Sequence, residues 1–294
     1  MAGASASSSD RLMAEGQFSG KLFWLNIPSD YDVDYQQLRG QLQDRTFYRS
    51  VSEDMDLGSV YVPDIFIQDG EITKTIVFQS IELINDRGNT LLFGTAVLDE
   101  PYTVEYQGQE ILILGTTRAN FIIFQFQSHH YIEFLCAREV AENIASVLRD
   151  ESDVLGPAIR ETRLRPDAIE AIRRALSANL MDTEFGDFPE PELTSLRMRG
   201  YGFEGGDEYD RQSSRGRIQN HMMQTEDWIP GESKVLSVSR DGLIRSYSKV
   251  TLSRYMGLLK NYVIPHIQRE QDSSVLSIWG DGTIYTEATE EDET

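Results

Sequence analysis

The chain has 294 residues, 40% of them apolar, and a formal net charge of −21 from 48 acidic and 27 basic side chains. That apolar content supports packed cores and excludes wholesale disorder, and the length allows two domains of ordinary size. The carboxylate surplus disfavours attraction of the whole molecule to a phosphate backbone or an anionic membrane.

The charge is unevenly distributed. Residues 1–159 hold 10 basic and 24 acidic side chains, a balance of −14; residues 160–260 hold 16 of each; residues 261–294 hold 1 and 8, a balance of −7. The basic residues are 22 Arg and only 5 Lys. Such a composition resembles that of haloarchaeal cytosolic proteins, since high salt shortens the Debye length to about 3 Å at 1 M and screens self-repulsion. A salt-adapted cytoplasmic protein is the expectation. The single cysteine, Cys136, lies in Phe134-Leu135-Cys136-Ala137, which excludes an internal disulfide and points to an inert buried thiol. Ala2–Ser9 is small and polar, without the apolar stretch of a secretory signal, and the longest strongly apolar run is Phe121–Phe124. A membrane span needs about 20 apolar residues, so no membrane association is expected.

In chain order, residues 1–18 read as a disordered tail. Residues 19–155 read as a β-rich domain with a closing helix. Its strands are Lys21–Ile27, Val60–Ile67, Ile72–Ile84, Leu91–Leu98, Thr103–Tyr106, Ile111–Leu114, Asn120–Gln127 and Tyr131–Ala137. Polar turns at 85–89 and at Gln107-Gly108 mark an antiparallel meander. Val140, Ile144, Val147 and Leu148 then share one helical face. A meander of six or seven strands ending in one amphipathic helix resembles the layout of pleckstrin-homology-like barrels. The resemblance is architectural and rests on no shared motif.

Residues 156–225 read as a helical and acidic Gly-rich connecting region. A helix starting at Pro166 carries Ile169, Ile172, Leu176 and Leu180, and 182–212 reads as a linker or mobile loop. Residues 226–286 read as a hairpin–helix–hairpin domain built on an internal repeat. Val235–Ile244 aligns without a gap on Val275–Ile284, and each copy is strand, Asp-Gly, strand, the signature of a type I′ hairpin. Between the copies Leu252, Tyr255, Met256, Leu259, Tyr262 and Val263 form a helical stripe that Pro265 ends. Residues 287–294 are an acidic tail. The fold class expected is therefore α+β.

No motif forces a reaction. The four histidines lack metal-site spacing, no nucleophile elbow is present, and no glycine loop has phosphate-binding form, so no cofactor or metal is expected. Arg199-Gly200-Tyr201-Gly202-Phe203 fits the first five positions of an RNA-recognition signature, but Glu204, Gly205 and Gly206 break it. Tyr201 and Phe203 are then loop anchors or stacking candidates. The stronger signal is an island at 211–260 with 9 basic and 4 acidic residues. Arg211, Arg215, Arg217, Arg240, Arg245, Lys249 and Arg254 are the partner-binding candidates, since guanidinium forks bind carboxylate or phosphate.

Three functions compete. The leading one is a non-enzymatic regulatory or adaptor protein that binds a protein partner through this Arg-bearing region. The second is a DNA-associated regulator that uses 166–250, with the 235–247 hairpin as a wing. The third is a carboxylate-dependent hydrolase in which Asp241 and Asp281 converge. The arginines distinguish them only if they form an exposed patch rather than pairing with the acids of 182–210.

Overall fold

Alternating sequence favours strand, and in this computed structural model strands hold about half of the residues and helices about a quarter. The structure describes residues 12–27, 31–51, 57–68, 71–86, 88–152, 155–165, 167–268 and 285–287. The expected α+β plan, a pleckstrin-homology-like barrel followed by helices, is overturned. The sheets are open and antiparallel, and the stretch read as helix and linker supplies strands of its own.

Two compact units form, each from separated parts of the chain. One comprises Met1–Trp24 and Arg160–Gln271, the other Leu25–Ile159 and Asp272–Thr294. The first unit opens with β1 (Glu15–Gly16) and β2 (Ser19–Leu25). Part of the expected tail is thus structured. Glu15 and Gly16 pair with Thr251 and Val250, and the Phe18 ring stacks on Tyr255 at 5.1 Å.

The second unit follows with β3 (Tyr31–Val33), α1 (Tyr35–Leu42), β4 (Thr46–Ser50), β5 (Ile67–Gln68), β6 (Glu71–Asp86), β7 (Asn89–Tyr106), β8 (Gln109–Phe126), β9 (His129–Leu135) and α2 (Arg138–Glu151). Its sheet order is β9-β8-β7-β6-β4. Asp34 starts α1 by accepting from the backbone of Gln36 and Gln37. Ile144, Val147 and Leu148 of α2 are buried. A ladder of edge-packed rings fills this core, with Phe78 5.8 Å from Phe47 and 5.1 Å from Phe121. Gly94 makes room for it: a Cβ there would lie 2.7 Å from the Phe121 ring.

The four strands expected between 91 and 127 are only two, each 18 residues long, joined at Gln107-Gly108. Both turn residues have positive φ, 52° and 78°, as a type I′ turn requires. Pro101 does not break β7, because pairing with β6 stops at Leu98 and the missing N–H removes no bond there. The strand expected at Val60–Ile67 is a 3₁₀ turn (Asp64–Phe66) running into β5, with Tyr61 making a lone bridge to Ile111.

The first unit resumes around β10 (Ile159–Glu161) with β11 (Arg163–Leu164), α3 (Ala168–Ala175), β12 (Asn179–Gly186), β13 (Ser195–Arg199), α4 (Asp207–Arg215), β14 (Arg217–Thr225), β15 (Lys234–Ser239), β16 (Leu243–Ser246), β17 (Val250–Thr251), α5 (Leu252–Leu258) and β18 (Ile267–Gln268). A final strand, β19 (Tyr285–Glu287), pairs with β3 in the second unit. The first unit's sheet runs β13-β12-β14-β15-β16-β2. On one face Phe185, Met223, Leu236, Val238 and Ile244 are buried, as are Ile169 and Ile172 of α3 and Tyr255 and Met256 of α5. Leu180, expected on the α3 stripe, belongs to β12. After α5 the chain tightens through a π turn (Leu259–Val263) and a 3₁₀ turn (Ile264–His266) around Pro265, the expected breaker.

The Asp241-Gly242 hairpin is real but of another type. Only Gly242 has positive φ, 80°, and its N–H bonds the Ser239 carbonyl at 3.1 Å. That is a type I turn closed by a left-handed glycine. The second copy of the repeat, Val275–Ile284, lies outside the described residues.

Candidate functional site

Strand register places an arginine-bearing row on the side of the first unit's sheet opposite the buried face. Antiparallel partners share a face, so Arg199, Asp182, Met222, Ser237 and Arg245 stand side by side across β13, β12, β14, β15 and β16. A second row contains Arg197, Glu184, Asn220 and Ser239. Tyr247, 41% exposed, follows the strand bearing Arg245, and its N–H bonds the Val235 carbonyl at 2.9 Å.

Asp182 organises one end of this face. It is only 5% exposed and accepts from Arg197 Nε at 2.7 Å and Arg199 Nε at 2.8 Å. The hydrogen bond that Arg197 donates to Asp182 raises the Arg197 pKa further above its ordinary value. The other end is unbalanced. Arg245 is half-buried, and its enclosed Nε–H meets no acceptor among the described residues. A buried donor left unpaired costs about 1–3 kcal/mol, more when charged. If the half-buried Arg245 side chain turned outward, an acceptor from outside the chain would remove that cost.

The remaining candidate cations do not assemble into one patch. Arg211 pairs with Glu208 at 2.5 Å, Arg215 with Glu190 at 2.7 Å and Arg240 with Asp187 at 2.6 Å. Arg254 lies 3.9 Å from Glu232, and its carbonyl accepts from Trp228 Nε1 at 3.3 Å. Arg217 is exposed, and its charge adds to the fall in the Asp187 pKa, which the Arg240 hydrogen bond dominates. Lys249 is exposed, and its carbonyl accepts from Lys234 Nζ at 3.0 Å. Carboxylates of the 182–210 stretch therefore neutralise three of the seven. Arg240, the tip residue of the proposed wing, is one of them.

Tyr201 and Phe203 lie beyond β13 in a turn, not on a central strand. Tyr201 is 64% exposed with its hydroxyl 3.2 Å from Asn179 Nδ2, and the Phe203 ring sits 6.0 Å from Tyr209. Arg197 and Arg199 were missed because their segment was read as linker. The signal was present: Ser195-Leu196-Arg197-Met198-Arg199 alternates polar and apolar with the period of a strand.

A polar relay lies on the buried side. Thr183 Oγ1 is 3.0 Å from His221 Nδ1, and the Tyr209 hydroxyl lies 3.3 Å from His221 Nε2 and donates to Glu170 Oε2 at 3.2 Å. Arg173 grips both Glu170 oxygens at 2.8 and 2.9 Å, and Arg174 adds a third bond at 2.8 Å. Burial pushes Glu170 up, but hydrogen bonds from His221, Arg173 and Arg174 outweigh it and hold the carboxyl well below its usual range. Burial pushes His221 down and Tyr209 up. Hydroxyl, imidazole and carboxylate have the order of a hydrolytic relay, yet Thr183 and His221 are both 0% exposed, so no substrate reaches them. The relay ties α3 and α4 to the sheet. His221 falls in the stretch read as a helical connecting region and is a buried strand residue of β14.

Asp241 is engaged by its own turn and by Lys21, 3.3 Å away, while Asp281 lies outside the described residues. Among the described residues no cluster of three or more His, Cys, Asp or Glu could hold a metal, and no helix is long and apolar enough to cross a membrane. Comparison of the sequence with protein-family models and with curated proteins finds no match.

Proposed function

We propose that this chain is a non-enzymatic binding protein of a salt-adapted cell, and that its first unit docks an acidic segment of a protein partner on the sheet face bearing Arg245. The observation that carries this reading is the enclosed Arg245 Nε–H without an acceptor, on a face that also exposes Arg197, Arg199 and Tyr247. A carboxylate arriving there meets the exposed Arg197 and Arg199, and turning the half-buried Arg245 fork toward it makes a charge-assisted hydrogen bond in place of an unmade one. Tyr247 adds contact area at small entropic cost. Nucleic acid is a poorer occupant, because Asp187 holds Arg240, the hairpin-tip residue that a wing would present to a phosphate backbone.

The test is site-specific photo-crosslinking in host lysate, with Tyr247→benzoylphenylalanine in the full chain. An adduct to an acidic protein is expected, lost with Arg245→Glu and kept with Arg254→Glu, which alters α5 instead. An adduct pattern indifferent to Arg245 contradicts the reading. Duplex DNA binding at low salt that needs Arg245 would replace the protein partner with nucleic acid.

A further inference from the structure

The ribbon formed by β7 and β8 in the second unit outruns its neighbours. β6 pairs with β7 only as far as Leu98, and β9 pairs with β8 only between Asn120 and Phe126, while β7 and β8 stay paired out to Tyr106 and Gln109. At the point of departure Asp99 Oδ2 takes the Thr75 N–H at 3.1 Å in place of a ladder bond. The outer edge of β8 is partly occupied, since Tyr61 exchanges backbone bonds with Glu110 and Leu112 at 2.8 and 2.9 Å. The outer edge of β7 past Leu98 has no strand on it among the described residues.

The two faces of this extension differ in kind. Tyr102 lies opposite Ile113 and Val104 opposite Ile111, so these side chains and Tyr106 share one face. Tyr102 is 46% and Tyr106 61% exposed, and the three aliphatic residues are half-buried. On the other face Glu105 stands directly opposite Glu110, and both are exposed. Residues 99–116 contain four carboxylates and no Lys or Arg. A bare two-stranded ribbon is marginal in water, an exposed apolar face marks a contact site, and like charges directly across a ladder repel.

We propose that the free edge of β7 at Tyr102–Tyr106 takes up an extended segment of a partner protein as a third strand, and that this segment alternates apolar and basic residues. An added strand sends successive side chains to opposite faces. Its apolar residues then extend the Tyr102–Val104–Tyr106 face, and its basic residues lie beside Glu105, with Glu110 one strand farther and within reach of a long basic side chain. Pro101 has no N–H to offer and fixes one end of the docking stretch. A second copy of the ribbon is a poor occupant, because its own carboxylates would face these. This surface is independent of Arg245, so either site can fail alone.

The test uses the full chain and fluorescein-labelled peptides in anisotropy titrations. The probe alternates Val with Lys or Arg, one control has the same composition in two blocks, and a second replaces the basic residues by Glu. Saturable binding of the alternating probe alone is expected. Glu105→Lys with Glu110→Lys, checked for folding by circular dichroism, should weaken it at least about tenfold, near 1.4 kcal/mol. N-methylation of one alternate set of probe amides should abolish binding and methylation of the other set should leave it intact, since only one edge of a strand pairs with β7. Equal binding of the block peptide, indifference to both methylated probes, or indifference to the charge reversal overturns the proposal. Sedimentation showing a dimer that Tyr102→Ser dissociates would make a second copy the occupant and overturn it likewise.

Discussion

Arg245 carries an enclosed Nε–H that finds no acceptor among the described residues. Replacing it by leucine removes an enclosed donor and keeps the aliphatic contacts of its stem. Arg245→Leu is therefore expected to leave the urea midpoint unchanged or raise it while abolishing the crosslink at position 247; a drop of several kcal/mol would show a structural arginine. Glu170 is the opposite case. Its three arginine bonds and the Tyr209 hydroxyl leave several cationic and polar groups stranded if it is lost, so Glu170→Ala is expected to cost about 3–5 kcal/mol by denaturant titration. The titrating residues act in one direction. Burial lowers His130 to about 4 and also lowers His221, so the unfolded chain binds protons that the folded one refuses. Stability is full above the ordinary histidine range and falls as the pH drops from about 6.5 toward about 4, at up to about 1.4 kcal/mol per pH unit per group. Glu170, held low, extends the loss below the usual carboxylate range. Urea midpoints between pH 7 and 4 check this, and His130→Asn should flatten part of the slope. Cys136 behaves as its apolar setting implies: burial pushes its thiol up to about 12, and alkylation at pH 8 should run about a thousandfold slower than for a free thiol.

At the scale of elements, the aromatic ladder of the second unit depends on one close approach. Gly94→Ala drives a methyl into the Phe121 ring, and a loss of about 1–3 kcal/mol is expected in thermal or urea unfolding. The same scale shows what the sequence reveals. Strong period-two segments with glycine turns, such as Ile72–Ile84 and the Gln107-Gly108 connection, emerge as strands and turn. The amphipathic stripes of α2 and α5 are equally legible, because buried aliphatics recur at helical spacing. Leu180, Thr183 and Phe185 were not legible as a strand, since a register shift between Leu180 and Asp182 breaks the alternation and acidic residues give the stretch a loop-like composition. His221 and Met223 sit among polar neighbours that face solvent, which hides a buried strand in a polar sequence. The candidate site was half visible. Arg245 stood out by charge, whereas its exceptional status depends on Asp187, Glu190 and Glu208 having taken other arginines, and only pairing in three dimensions decides that.

For the whole molecule, a charge of −21 places self-repulsion among the terms that salt relieves. Most ion pairs in the first unit involve exposed partners and contribute little, so salt removes less attraction than repulsion. The melting temperature is expected to rise between 0.1 and about 2 M KCl; a fall would contradict a salt-adapted surface. The charge also bears on partners. Several arginines of the first unit are paired within it, whereas on the second unit's ribbon Glu105 and Glu110 stand exposed opposite one another. The central claim, that Arg245 awaits a carboxylate from outside, is tested most directly by following the ¹⁵Nε–¹Hε signals of the arginines while the full chain is titrated with an Asp- and Glu-rich peptide. A saturable downfield shift confined to Arg245, Arg197 and Arg199 is the predicted result. An Arg245 signal that stays fixed, or that moves no more than that of exposed Arg217, would contradict it.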